Sequence, residues 1–122
     1  MNDFQNARSW ARKFRDAFTG LGQGIAGQNS FTIHFFAAIC VSLTAIWVQV
    51  SIEEYGILLI CIALVLALEL VNSSLESMAR AVTDQYDEHV RRALNIASAA
   101  VLVAAMFSAI IGVLILGPKM LG

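Results

Sequence analysis

Three long stretches of this chain carry no formal charge: residues 17–52, 55–68 and 93–118. A run of about 20 apolar residues is enough to cross the hydrocarbon core of a bilayer as an α-helix. A helix is favoured there because it satisfies its own backbone polar groups where no water can. Composition points the same way. The 122 residues are 58% hydrophobic and 14% charged, whereas soluble domains average about a quarter charged. A disordered chain would need the opposite balance. The sequence therefore predicts one all-α integral membrane domain over residues 1–122, with spans at 31–50, 55–82 and 93–116.

Residues 3–24 precede the first span. Phe4, Ala7, Trp10, Ala11, Phe14, Phe18 and Leu21 recur at steps of three and four, which is one face of a helix. Arg8, Arg12, Lys13 and Arg15 fall mostly off that stripe. Aromatics on one face and bases on the other suit a helix lying in the membrane interface. The mixture of acids, bases and aromatics over residues 1–16 is unlike a signal peptide. Gly22, Gly24 and Gly27 spell G-x-G-x-x-G. A dinucleotide fingerprint requires a preceding strand, so the expectation is a flexible corner leading into span one. Asn29 and Ser30 read as caps for that span.

Cys40 and Cys61 lie in apolar runs without metal-ligand spacing and read as buried hydrophobes. Asp84, Asp87 and Glu88 sit where a third span begins, complementing its dipole. Gly117-Pro118 is expected to stop that span. Ala100, Ala104, Ser108 and Gly112 form a small-residue ridge suited to close helix packing. Bases gather in the N-terminal helix and at Arg80, Arg91 and Arg92, while the loop between spans one and two offers only Glu53 and Glu54. The positive-inside rule then puts the N-terminus in the cytoplasm.

Glu69 closes the apolar run of span two, and an ionisable group at that depth is a functional-site hypothesis by default. Asn72 and Glu76 follow at i+3 and i+7, on the same helix face. Two carboxylates graded in depth suit a reaction joining a lipid hydroxyl to a water-soluble co-substrate. The same residues also suit a set of interhelical hydrogen bonds, with Asn72 as polar glue. His34 reads best as a structurally hydrogen-bonded histidine. A proton pathway around Glu69 and His34 is the weakest reading, because no second intramembrane charge accompanies them.

Residues 69–76 read E-L-V-N-S-S-L-E, which resembles the E-[LI]-x-N-[ST]-x-[IL]-E core of the prokaryotic diacylglycerol kinase family, undecaprenol kinases included. Phe14 to Gly20 is similar to the family's interfacial F-x-x-A-[WF]-x-G, Phe31 to His34 to the F-x-I-H of undecaprenol kinases, and Ser98 to Leu102 to the start of the third span. The resemblance implies a homotrimer in a bacterial-type inner (cytoplasmic) membrane. It implies phosphate transfer from ATP, with Mg2+, to diacylglycerol or undecaprenol. Glu69 would be the base, Asn72 would orient the substrate or phosphate, and Glu76 would hold the metal. Arg12, Phe31, Glu76, Arg80, Arg91, Arg92 and Asn95 would contact the nucleotide, and Glu69 and Ser98 the lipid. No nucleic-acid partner is expected.

The sequence departs from the family in the nucleotide site. Gln28 stands where a second metal-binding glutamate is usual, Arg80 where an aspartate is usual, and Leu94-Asn95 where Lys-Asp is usual. Gln28 offers a carbonyl oxygen without charge, and Leu94 cannot neutralise a phosphate. Arg80, Arg91 or Arg92 is expected to supply the displaced cation, and Asp84 or Asp87 to join the metal. The alternative expectation is a catalytically altered member that binds lipid or partner subunits.

Overall fold

The structure, a computed structural model, describes residues 3–27 and 29–122, with side chains described for 9–26 and 30–122. Four helices follow one another: α1 (Asp3–Gly27), α2 (Asn29–Trp47), α3 (Ile52–Val82) and α4 (Glu88–Leu121). No strand occurs among the described residues. The last three are long and apolar enough to cross a membrane. α3 packs most extensively on α4 and less on α2, while α1 touches α2 and α3. Together α2, α3 and α4 form a three-helix membrane unit, with α1 laid beside it.

On α1, Trp10, Phe14 and Phe18 are exposed. Lys13 Nζ stands 5.0 Å above the Trp10 ring. These three rings are thus largely uncovered within the protomer. The glycine corner does not form. α1 stays helical through Gly20, Gly22 and Gly24 and ends at Gly27. Gly24 has a packing role instead, because a Cβ there would collide with the Leu70 Cδ2 of α3.

Asn29 and Ser30 are not caps but the first residues of α2, and the hydroxyl of Ser30 is used elsewhere, as shown below. α2 ends three residues before the expected boundary, in a Schellman motif. Val50 N–H bonds to Ala45 C=O and Gln49 N–H to Ile46 C=O, each at 3.2 Å. Gln49 takes the left-handed position, with φ 60°, where glycine is usual. Val50 completes the motif by packing against the core cluster of Ala45, Leu58 and Leu116.

Span two begins earlier than expected. Ser51 caps α3 with a reciprocal box: its Oγ accepts from Glu54 N–H, and its own N–H donates to the Glu54 carboxylate. Glu53 and Glu54 are therefore the first turn of α3 rather than a loop. α4 likewise begins earlier, at Glu88, because Asp87 accepts from His89 and Val90 N–H. It also ends later, running through Pro118 to Leu121. Proline removes a single intrahelical bond there, in the final turn. Tertiary contacts hold that turn in place: Leu116 sits in the core cluster, and Lys119 Nζ lies 3.4 Å from Glu54. Cys40 is exposed on α2, contrary to the expected burial, and Cys61 is partly buried. The reason is that α2 presents one flank outward, to lipid or to another subunit.

Candidate active site

α3 contains 31 residues. At about 1.5 Å per residue it is longer than the roughly 30 Å hydrocarbon core, so its C-terminal turns project past the apolar slab. Glu69, Asn72, Glu76 and Arg80 share one face over those turns, rising about 16 Å in all. The stripe read from sequence is thus a continuous path from the apolar interior to the polar end of the helix.

Glu69 is 3% exposed and Asn72 8%. α2 meets the carboxylate with two side chains from one of its faces. Ser30 Oγ donates to Glu69 Oε2 at 3.1 Å. His34 Nδ1 lies 2.8 Å from Glu69 Oε1, a close polar contact whose N–H is not aligned as a hydrogen bond. Read from sequence, His34 has a structural polar role and is set beside Glu69 only in the proton-pathway reading, while Ser30 reads there as a cap. The available signal was their i, i+4 spacing on an otherwise apolar span.

Higher on α3, Asn72 Nδ2 donates to Glu76 Oε1 at 3.1 Å. Asn72 Oδ1 and Ser73 Oγ are buried without hydrogen-bond partners. Buried polar atoms are ordinarily satisfied, so this turn has hydrogen-bonding capacity left over for a further polar partner.

Two hollows flank the stripe. The first is an apolar slot of about 450 Å3 between α2, α3 and α4. Ala38, Val41, Leu58, Val65, Ala109 and Gly112 form its walls, and His34 stands in its lining beside Glu69. Ser108 and Gly112 of the small-residue ridge border this slot, so the ridge leaves room as well as allowing contact. The second is a groove of about 1080 Å3 between α1 and α3. Phe14, Phe18 and Gly24 line one side of it, and Ser73, Ser77, Glu76 and Arg80 the other.

The remaining site expectations fall into three groups. Arg80 lies in the groove beside Glu76. Arg12, Arg91, Asn95 and Ser98 are exposed and line neither hollow, and Arg92 points to Glu88 at 3.7 Å. Phe31 is 3% exposed and stacks on Phe35. Gln28 lies outside the described residues. No cluster of three metal-ligating side chains occurs among the described residues.

Residues 15–116 match the prokaryotic diacylglycerol kinase family. The chain belongs to the prokaryotic diacylglycerol kinase family. It is 32% identical over 122 residues to the undecaprenol kinase of Bacillus subtilis (strain 168), covering 97% of this chain and 99% of that protein. It is 33% identical over 121 residues to a diacylglycerol kinase of Synechocystis, covering 98% of this chain and 69% of the relative. With three apolar helices, this family member is a multi-pass membrane protein. The match runs from within α1 to within α4, so the Glu69 stripe and most of the lining of both hollows lie inside the family region, with Phe14, Gly117 and Met120 just outside it.

Proposed function

We propose that the chain is a lipid kinase that transfers the γ-phosphate of ATP to the hydroxyl of a long-chain lipid alcohol, diacylglycerol or undecaprenol. One observation carries this reading: the buried Glu69 carboxylate, which lines neither hollow itself, touches His34 in the wall of an apolar slot and begins a helix face that leads to Glu76 and Arg80 in a groove of mixed lining. The slot suits a hydrocarbon chain and the groove a triphosphate. The names of both relatives support kinase chemistry.

In this reading Glu69 accepts the proton of the lipid hydroxyl as its oxygen attacks the γ-phosphorus. The bond from that phosphorus to the β,γ-bridging oxygen breaks, and ADP leaves. Such transfers depend mainly on positioning and charge neutralisation. Arg80 supplies the cation that Leu94 lacks. It shares the groove with Glu76, whereas Arg92 is turned to Glu88.

The donor set fits Mg2+. Magnesium takes one or two protein carboxylates, keeps several waters and binds substrate phosphates. Glu76 offers the carboxylate and the unpartnered Asn72 Oδ1 a carbonyl oxygen. The bound ion would neutralise charge on the phosphates.

The basic residues of α1, and Arg80, Arg91 and Arg92 flanking the turn between α3 and α4, orient α1 and that turn to the cytoplasm. The proposed assembly is a homotrimer. Its support is the small core of the protomer, which leaves Phe36, Ile60 and Phe107 exposed for lipid or sister subunits.

A second reading is a family member that binds lipid without phosphorylating it. The uncharged residues at Gln28 and Leu94 favour it. The deciding experiment is transfer from γ-labelled ATP with Mg2+ in bilayers, against a panel of diacylglycerol and polyprenols. Label in one lipid alcohol supports the kinase and names its substrate. No label in any, from a folded protein, supports the second reading.

A further inference from the structure

We infer that Ser30 and His34 are positioning residues: they fix the Glu69 carboxylate against α2 and aim its free lone pairs at the incoming lipid hydroxyl. This rests on the kinase reading and assigns α2 a part in it.

A glutamate's terminal torsion is broad and nearly free. At Glu69 that freedom is removed by one contact on each oxygen. Ser30 Oγ donates to Oε2 at 3.1 Å, and His34 Nδ1 stands 2.8 Å from Oε1. Two partners on separate oxygens define the carboxylate plane, which one could not do. Both come from successive turns of one helix, so the clamp is as rigid as α2 itself. Water offers little competition, because Glu69 is 3% exposed.

His34 also does something that Ser30 does not. Its ring lines the apolar slot while its Nδ1 faces the carboxylate. The ring is therefore the wall between the hydrocarbon chain and the base. A chain in the slot passes His34 as its hydroxyl reaches Glu69. Misplacement of a reacting group by about 1 Å can cost about 100-fold in rate, which is the scale on which a lost clamp should register.

The atom that faces Glu69 makes the role testable. The side-chain amide nitrogen of asparagine can stand near the place of histidine Nδ1, whereas leucine offers no donor. In bilayers with the lipid alcohol that accepts label, His34→Leu and Ser30→Ala are expected to lower kcat on the order of 10- to 100-fold. The KM for lipid should move less than threefold, and His34→Asn should recover most of the rate. His34→Leu placed on Glu69→Gln should add no further loss. A kcat for His34→Leu within twofold of the unsubstituted protein overturns the inference. So does a His34→Asn variant as slow as His34→Leu while equally helical and equally heat-stable.

A second readout needs no activity. The chain has two histidines, His34 and His89. In 15N spectra, Glu69→Gln should shift the His34 ring nitrogens and leave those of His89 in place. Unshifted His34 nitrogens overturn the positioning role. Absence of transfer to every lipid, with the His34 shift present, overturns the kinase reading while leaving the clamp standing.

Discussion

Asn72 donates its amide nitrogen to Glu76 at 3.1 Å and thereby leaves its own carbonyl oxygen buried without a partner. One side chain thus orients the carboxylate one turn above it and holds an acceptor ready beside it. Leaving a buried hydrogen bond unmade costs about 1–3 kcal/mol, so this oxygen is a strong acceptor for whatever polar group comes beside it. The pair lies between the buried Glu69 and the groove that Arg80 lines, where the proposed function brings phosphate and lipid hydroxyl together.

Asn72→Leu should therefore weaken the metal step more than lipid binding. Removing an orienting partner of a metal ligand typically costs 10–100-fold in metal affinity. The Mg2+ concentration giving half-maximal transfer is expected to rise by about that factor, with lipid KM little changed. An unaltered Mg2+ dependence in a folded variant would remove Asn72 from this role.

Arg80 lines the groove, and the proposed function gives it the part of the cation missing at Leu94. Arg80→Ala should raise the KM for ATP about tenfold or more, since a charge on a transferring phosphoryl group is worth several kcal/mol. Arg80→Lys should fall between, because a lysine keeps the charge but not the planar fork. Arg92→Ala should stay within twofold, as Arg92 is exposed and directed to Glu88. Steady-state kinetics over a range of ATP concentrations separates these outcomes. If Arg92→Ala is the damaging change, the displaced cation sits near the start of α4.

Gln49 occupies a left-handed position with φ 60°, which strains a side-chain-bearing residue by about 1–2 kcal/mol. Gln49→Gly is expected to stabilise the α2–α3 corner by about 1 kcal/mol, after the greater flexibility of glycine in the unfolded chain is counted. Unfolding by denaturing detergent would show it. A destabilised variant would mean that the Gln49 side chain holds the corner in some other way.

Much of this architecture is legible in the residues. The uncharged runs mark three membrane helices, and the i, i+3, i+7 spacing puts Glu69, Asn72 and Glu76 on one face. Both follow from local periodicity, which a sequence displays directly. Ser51-Ile52-Glu53-Glu54 also spells a capping box, but two acids between two apolar runs suit a loop equally well. Gly20, Gly22 and Gly24 read as a corner because glycine weakens a helix, but the close approach of Leu70 to Gly24 shows why a glycine is used inside one. Gly117-Pro118 reads as a stop, but contacts from Leu116 and Lys119 to distant parts of the chain carry α4 onward. The i, i+4 spacing of Ser30 and His34 is visible in the residues, but which carboxylate they meet depends on how α2 is laid against α3.

The central claim is that Glu69 is the base for a lipid hydroxyl. Its most direct test is the turnover of Glu69→Gln, which keeps the size and hydrogen-bonding reach of the side chain and removes the proton-accepting charge. Loss of a general base typically costs 10²–10⁴-fold. Phosphate transfer from labelled ATP to the preferred lipid alcohol should fall by about that factor, with the KM values for lipid and ATP nearly unchanged. A Glu69→Gln variant that phosphorylates the same lipid within threefold of the unsubstituted rate would contradict the account.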